Sequence, residues 1–166
     1  ESVFARIEAG RMMVMLDRGT YWQCAYVIVK GHYDEIKARG IEALRSDLVT
    51  LAPSLRSNIA DVKNWDDVKL LTVAVNRLKR WTRPGLLCIG DAAHAMSPVG
   101  GVGVNIAVQD AVAAANLLAE KLASDGAVSE DDLAAVQRRR EFPMRMTQGM
   151  QVIVQNNIVN AALNPG

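Results

Sequence analysis

Side chains that could take part in binding or catalysis concentrate in Gly90–Asn105, whose sequence is GDAAHAMSPVGGVGVN. The stretch offers a carboxylate at Asp91 and an imidazole at His94, and its glycines give the backbone unusual freedom. The apolar run LLCI precedes it and an alanine-rich segment follows it. This order predicts a strand, a ligand-binding loop and a helix.

The predicted start of the helix determines what kind of ligand would bind there. The first backbone N–H groups of a helix have no partner inside the helix, and the helix dipole places partial positive charge at that end. The glycines at 100, 101 and 103 leave this backbone open to a ligand. Asp91 offers oxygen acceptors suited to sugar hydroxyls. We therefore expect a ligand with hydroxyl groups at one end and electron-rich oxygen or nitrogen at the other.

Other kinds of site lack residues that they need. The glycines read Gly101-Val-Gly103-Val-Asn-Ile, so the third glycine of a GxGxxG pyrophosphate loop is missing. No Gly-Lys-Ser/Thr follows, which disfavours a P-loop. Asp91 and His94 could form a hydrolase dyad, but no GxSxG motif accompanies them. His94 is interpreted as a packing or hydrogen-bonding residue, and a capped turn without a ligand remains an alternative for the loop.

The segment PGLLCIGDAAHAMSPVGGVGVNIAVQDAVAAANLLAEKL, roughly residues 84–122, resembles the second FAD-binding motif of single-component flavoprotein monooxygenases. These are the aromatic hydroxylases related to p-hydroxybenzoate hydroxylase and the polyprenyl-methoxyphenol hydroxylases. The motif GDAAHxxxPxxGxGxN is met at every fixed position. Residues 76–81, NRLKRW, give a weaker match, and residues 1–60 fit the family's substrate domain only in kind.

The resemblance implies FAD as the cofactor and NAD(P)H as the co-substrate of an enzyme that hydroxylates a small aromatic molecule with O2. It implies that Asp91 accepts hydrogen bonds from the ribityl chain, that Pro98 walls the flavin ring, and that the backbone of Gly101–Asn105 faces the pyrimidine edge of the ring. The implied cofactor-binding residues are Asp91, Pro98, Gly100, Gly101, Val102, Gly103, Val104 and Asn105. No side chain of the chain is expected to act as a nucleophile or a metal ligand, so no catalytic residue is assigned.

The chain departs from the family in what it lacks. The family begins with a βαβ unit that carries GxGxxG for the ADP half of FAD, and it has a middle Asp-Gly motif; neither is found here. The chain therefore resembles the C-terminal portion of such an enzyme and is expected to be inactive alone. The alternatives are part of a non-hydroxylating FAD oxidoreductase and a non-catalytic domain of the same fold.

Composition limits the partners of the chain. Its 166 residues are 50% hydrophobic and 22% charged, with a net charge of +1, which gives no general attraction to nucleic acid. The basic clusters at 77–83 and 138–140 are interpreted as solvated faces. Two isolated cysteines indicate a reducing cytoplasm, and no apolar run is expected to span a membrane. We expect a homo-oligomer, or association with the missing N-terminal half; the apolar stripe at 146–154, more often core, is a candidate contact.

The pattern of elements predicts an α+β part of an FAD/NAD(P)-binding α/β protein. Residues 3–29 predict an antiparallel meander and residues 34–51 a helix weakened by Gly40; strands are predicted at 68–75 and 86–90. Helices are predicted at 103–122 and after a Ser129–Asp132 cap, with Pro143 breaking or kinking the second. Residues 1–80 are assigned to the substrate domain, 81–123 to the FAD domain and 124–166 to C-terminal helices.

Overall fold

The computed structural model describes residues 2–8, 10–124, 126–159 and 163. Its contacts divide the chain into two compact units, which separate between Leu71 and Thr72. The second unit ends at Gln155 and contains the whole glycine loop. The assignment of residues 1–80 to a substrate domain and of 81–123 to an FAD domain stays a prediction.

The first unit opens with three antiparallel strands: β1 (Val3–Glu8), β2 (Arg11–Asp17) and β3 (Trp22–Val27). The sheet order is β1-β2-β3, with Glu8 opposite Arg11 and Asp17 opposite Trp22 at the two turns. Alternation along β2 buries Met13 and Met15 on one face, because neighbouring residues of a strand point to opposite faces. The predicted meander is confirmed.

Two helices, α1 (Tyr33–Ala38) and α2 (Ile41–Leu51), replace the single helix predicted over residues 34–51. Gly40 separates them because its φ of 88° lies in the left-handed region, which is incompatible with a continuing right-handed helix. The predicted apolar face of the helix is otherwise confirmed. Leu44, Leu48 and Leu51 of α2 form a core with buried side chains of β2.

The strand predicted at residues 68–75 is wrong. These residues have no regular secondary structure, and Leu70 and Leu71 are exposed. Three short 3-10 turns between residues 53 and 67 precede them. A strand forms only when a neighbouring strand accepts and donates backbone hydrogen bonds, and none pairs with residues 68–75 in the described part of the chain.

The second unit contains two pairs of very short strands. They are β4 (Asn76–Arg77) with β7 (His94–Ala95), and β5 (Thr82–Arg83) with β6 (Leu86–Leu87). The strand predicted at residues 86–90 is therefore wrong beyond Leu87. It shortens because β5 offers only two partner residues, and because Gly90, with φ of 56°, turns the chain away.

Two long helices, α3 (Gly103–Ala123) and α4 (Glu130–Val154), pack against each other. The helix predicted at 103–122 is confirmed, and so is the cap: Ser129 and Asp132 form a capping box at the start of α4. Pro143 does not end the helix, because α4 continues for eleven residues after it. A π-helical turn, Gln155–Val159, follows.

Buried side chains of the second unit form two clusters, one around Trp81 and Met144 and one around Leu118 and Val136. The stripe at 146–154 is not part of them. Met146 and Met150 are more than half exposed, so the interpretation of this stripe as core is wrong. They lie on the face of α4 opposite its buried residues.

One helical segment, Val99–Ala123, meets the length and composition of a membrane span, which the sequence analysis did not expect. Core helices of proteins outside membranes often have the same length and composition. The fully buried Asp110 of this segment is ion-paired with Arg140 of α4. With its small antiparallel sheets and its helices, the chain has the expected α+β architecture.

Candidate functional site

The turn that carries Asp91 lies directly against α3. Gly90–Ala92 form a single 3-10 turn, in which a side chain on Gly90 would place its Cβ 3.0 Å from the Cβ of Ala107. A contact of 3.0 Å is tighter than nine in ten real Cβ contacts, and the φ of 56° also favours glycine, so a side chain at position 90 would displace Ala107 and strain the backbone. The turn and the first turns of α3 are therefore held in a fixed relation.

Asp91 is exposed at the outer side of this turn. Its carboxylate makes no hydrogen bond or ion pair with any other residue that the structure describes. Both oxygens are thus available as acceptors for hydroxyl groups of a ligand.

The glycine loop has the backbone conformation that its sequence predicts. Gly100 and Gly101 have φ values of 80° and 63°, in the left-handed region that favours glycine. The N–H of Gly101 donates to the carbonyl of Pro98 over 3.0 Å and closes the turn. Pro98 and both glycines are exposed, so the chain reaches the start of α3 with bare backbone on its surface.

The N-terminus of α3 has no cap of its own. Val102 occupies the N-cap position and supplies no side-chain hydrogen bond, and the first turn holds no acidic residue. The start of α4, by contrast, is closed by Ser129 and has three acidic residues in its first turn. The first N–H groups of α3 therefore present partial positive charge without an internal acceptor. Val104 and Asn105 in this turn are exposed.

His94 lies beneath the loop and not on its surface. Its side chain is 1% exposed, and its Nε2 lies 2.6 Å from the Oδ2 of Asp110. Asp110 is fully buried and accepts two further hydrogen bonds, from the Nε of Arg140 at 2.8 Å and from the N–H of Gly90 at 3.1 Å. The interpretation of His94 as a packing and hydrogen-bonding residue is confirmed.

Sequence reasoning did not identify Asp110, although a signal was present. It is an acidic residue in the middle of a largely apolar helix, and it shares one face with Ile106 and Ala113, which are four residues before it and three after it. A carboxylate at such a position needs buried donors. Arg140, on the facing helix, supplies one.

A second set of residues that the sequence analysis missed lies on the inner face of α4. Long polar side chains recur there at helical spacing; they are Gln137, Arg140, Gln148 and Gln151. We call these four residues the polar stripe of α4. The three glutamines bond backbone groups of residues 76–99, whereas the guanidinium of Arg140 bonds the side chains of Gln109 and Asp110 on α3. Polar side chains at core-facing positions of a helix indicate buried groups that need partners, a signal that was visible only as spacing.

The three glutamines of the stripe bind the backbone at several points between residues 76 and 99. The amide of Gln137 bonds the carbonyl of Lys79 and the N–H of Trp81, and Gln148 donates to the carbonyls of Asn76 and Ala95. Gln151 donates to the carbonyls of Ser97 and Val99, at 2.7 and 2.9 Å. The loop in front of α3 is therefore held from α4 and not only by its own turns.

The chain is similar in sequence to known proteins. Residues 2–150 match the family described as FAD binding domain. The chain is 33% identical over 149 residues to 6-methylpretetramide 4-monooxygenase of Streptomyces rimosus, covering 86% of this chain and 35% of that protein. Over 99 residues it is 37% identical to kynurenine 3-monooxygenase of Xanthomonas euvesicatoria pv. vesicatoria, covering 55% of this chain and 20% of that protein. The chain thus spans about a third or less of the length of these relatives.

Solved structures show the same fold. The crystal structure of PqsL from P. aeruginosa in complex with 2-aminobenzoylacetate superposes with a TM-score of 0.70 at 22% identity, covering 97% of this chain and 44% of that one. A second PqsL structure, described as a probable FAD-dependent monooxygenase, gives a TM-score of 0.67 at 23% identity.

Proposed function

The chain belongs to the FAD-binding domain family, and from this membership we propose that it holds the flavin and ribityl part of FAD in a monooxygenase. The proposed substrate is an aromatic or related small molecule, and NAD(P)H is the proposed co-substrate. The names of two relatives, which cite 6-methylpretetramide and kynurenine, support this class of substrate. FAD supplies electron transfer from NAD(P)H and the activation of O2, so that one oxygen atom enters the substrate and the other leaves as water.

The uncapped N-terminus of α3, beside the free carboxylate of Asp91, is the observation that carries this proposal. Asp91 would accept hydrogen bonds from ribityl hydroxyls, and the N–H groups of Gly103–Asn105 would donate to the oxygen and nitrogen atoms of the pyrimidine edge. The partial positive charge of α3 stabilises the negative charge that the ring gains on reduction. Pro98 and the glycines at 100 and 101 exclude water from one side of the ring.

The remaining partner assignments follow from charge. Three basic residues of the two clusters bond other side chains of the chain: Arg80 pairs with Glu130, Arg77 donates to Gln148, and Arg140 pairs with Asp110. These three are not free to bind phosphate, and the net charge is only +1, so we propose no nucleic-acid partner. We propose a cytoplasmic protein without an integral membrane segment.

Titration of the 15N-labelled chain with millimolar FAD tests the site. We expect chemical-shift changes concentrated on the amides of Gly90–Asp91 and Gly100–Asn105, with weaker effects elsewhere. Gly103→Val should abolish them, because its side chain would occupy the space in front of the helix start. The fold has room for it, since the nearest atom to a Cβ at position 103, the Cβ of Met96, is 3.5 Å away.

Gly149→Val is the matched control for this titration. Gly149 lies on α4 with no atom within 4 Å of an added Cβ, so the same substitution should leave the FAD response intact. Shift changes spread evenly over the chain, or an equal response of both variants, would contradict the proposed site.

A further inference from the structure

Pro98 stands at the exposed tip of a short segment whose neighbours on both sides are fixed. Ser97 is 2% exposed and Val99 is half-buried, while Pro98 itself is exposed. The ring of proline restricts φ, and Pro98 has φ of −66°. The direction in which the proline faces therefore depends on what holds Ser97 and Val99.

One amide bonds the backbone of both neighbours, beside two longer contacts of the Ser97 hydroxyl, which accepts from the N–H of Val99 at 3.3 Å and donates to Gln155 at 3.5 Å. The Nε2 of Gln151 donates to the carbonyl of Ser97 at 2.7 Å and to the carbonyl of Val99 at 2.9 Å. The Oε1 of the same side chain accepts from the N–H of Ser97 at 3.2 Å. Both donors of the amide and one acceptor site are thus used on the two residues that flank Pro98.

The position of Gln151 makes this arrangement specific. The side chain is 5% exposed, so unpaired carbonyls at Ser97 and Val99 would lose hydrogen bonds that water cannot fully replace. Gln148, one helical turn earlier, has the same chemistry but bonds Asn76 and Ala95, which join β4 to β7. Two adjacent glutamines of one helix therefore fix two different segments.

We propose that Gln151 is a positioning residue of the cofactor site, which fixes Pro98 as the wall against which the flavin ring lies. This inference rests on the proposed function for the identity of the ligand. Gln151 touches the loop and acts only through Pro98. Because the bonds to Ser97 and Val99 run from α4, the position of the wall is set by α4 and not by the loop sequence alone.

Amide exchange without flavin tests the positioning. In Gln151→Met, which keeps the length of the side chain and removes its hydrogen bonds, the Ser97 amide should exchange about tenfold faster, the equivalent of one lost hydrogen bond. In the matched variant Gln148→Met it should change less than about twofold, while amides of the β4–β7 pair accelerate instead. Gln151→Glu keeps the acceptor for Ser97 and removes both donors; if Gln151→Met does not fold, it tests the bonds to the carbonyls of Ser97 and Val99 through the FAD-induced shifts at Val99–Gly101, which should be lost.

Addition of FAD tests the link to the cofactor. FAD-induced shifts at Val99–Gly101 should be lost in Gln151→Met and kept in Gln148→Met, with equal thermal unfolding midpoints for the two variants. An unchanged Ser97 amide in Gln151→Met, or equal effects of both variants on the loop, would overturn the inference. Absence of any FAD response in the parent chain would contradict the proposed function and the cofactor role of Gln151, whereas the exchange measurement still decides whether Gln151 fixes the loop.

Discussion

Asp110 shows how one buried side chain organises the site. It receives hydrogen bonds from Gly90, from His94 and from Arg140, so the segment 90–94, α3 and α4 meet at one carboxylate. A buried carboxylate is tolerated because a charged partner and further donors satisfy it. The exposed Asp91 is thereby kept at a fixed place relative to α3, although Asp110 is not exposed to any ligand itself.

Replacing one member of the Asp110–Arg140 ion pair should lower the free energy of unfolding far more than replacing both members. Asp110→Asn leaves the guanidinium of Arg140 buried without a counter-charge and should reduce the free energy of unfolding by about 3–5 kcal/mol. The double variant Asp110→Asn with Arg140→Met should recover at least half of that loss, because no unpaired charge remains. Urea unfolding of the two single variants and the double variant measures the coupling between the two residues. If the losses in the free energy of unfolding of the single variants simply add in the double variant, the prediction is contradicted.

Gly90 is the second residue on which the turn depends. Gly90→Ala should destabilise the chain by about 1–2 kcal/mol through its left-handed conformation alone, and its contact with Ala107 adds to this. Gly149→Ala makes the same substitution in an open helical position, where it should stabilise by about 0.5–1 kcal/mol. Opposite signs in chemical denaturation are the expected result, and a shared sign would show that the packing of Gly90 against α3 is misassigned.

At the scale of elements, α3 and α4 differ in how their N-termini are satisfied. The start of α4 is closed within the chain: the Oγ of Ser129 accepts from the N–H of Asp132, and Asp132 accepts from the N–H of Ser129. The start of α3 has no such closure. The same physical need, an acceptor for unpaired N–H groups, is met by side chains at the start of α4 and is not met by a side-chain cap at the start of α3.

The cap of α4 should make stability depend on pH in acid. Hydrogen bonds from Lys121 and Ser129 lower the pKa of Asp132 to about 2, from a usual value of 3.8. Because the pKa in the folded state is the lower one, ionised Asp132 contributes stability above about pH 4, and this is lost as the pH falls towards 2. In Asp132→Asn the unfolding free energy should fall less steeply between these pH values. An unchanged slope would contradict this.

The helices were largely predictable from sequence, and the strands of the second unit were not. Apolar spacing and the Ser129 cap are local signals, so α3 and the start of α4 lie where they were expected. Residues 68–75 and 88–90 have strand-like composition, but a strand also needs a partner. The polar anchors Asp110 and Gln151 were missed for a related reason, since their roles depend on which segments the fold brings beside them.

At the scale of the whole molecule, large apolar side chains are exposed on both long helices. Val104, Val108 and Val112 recur along α3, and Phe142, Met146 and Met150 along α4, each at least half exposed. Apolar stripes of this kind on helices are typical of contact surfaces. These apolar stripes could be buried against the part of the relatives' polypeptide that this chain does not span, or against a second copy of this chain.

We expect the chain to self-associate through α4 when no other polypeptide covers it. Light scattering should report a dimer or larger species that weakens in Met150→Lys, because a lysine on the stripe would carry its charge into the contact. Ser54→Lys adds the same charge at an exposed site of the first unit and should leave association unchanged. A monodisperse monomer for the parent chain would contradict the prediction.

The chain by itself should bind FAD weakly and have no monooxygenase activity, because it supplies only one of two points of attachment. In the flavoprotein monooxygenases that this chain resembles, a separate glycine loop holds the pyrophosphate of FAD. The contacts to the flavin then become effectively intramolecular, which raises the affinity for FAD by orders of magnitude. This sequence has no strand–GxGxxG–helix unit. At the proposed site, what remains would be a few hydrogen bonds at Asp91 and the start of α3, each worth about 0.5–1.5 kcal/mol. Their sum does not clearly exceed the cost of about 4 kcal/mol or more for immobilising a large flexible ligand.

Mixing the purified chain with FAD and removing the excess by gel filtration should therefore leave little visible absorbance, whereas FAD should be retained after fusion to a polypeptide that binds the ADP half. A stoichiometric flavin band on the chain alone would show that Asp91 and α3 provide most of the affinity.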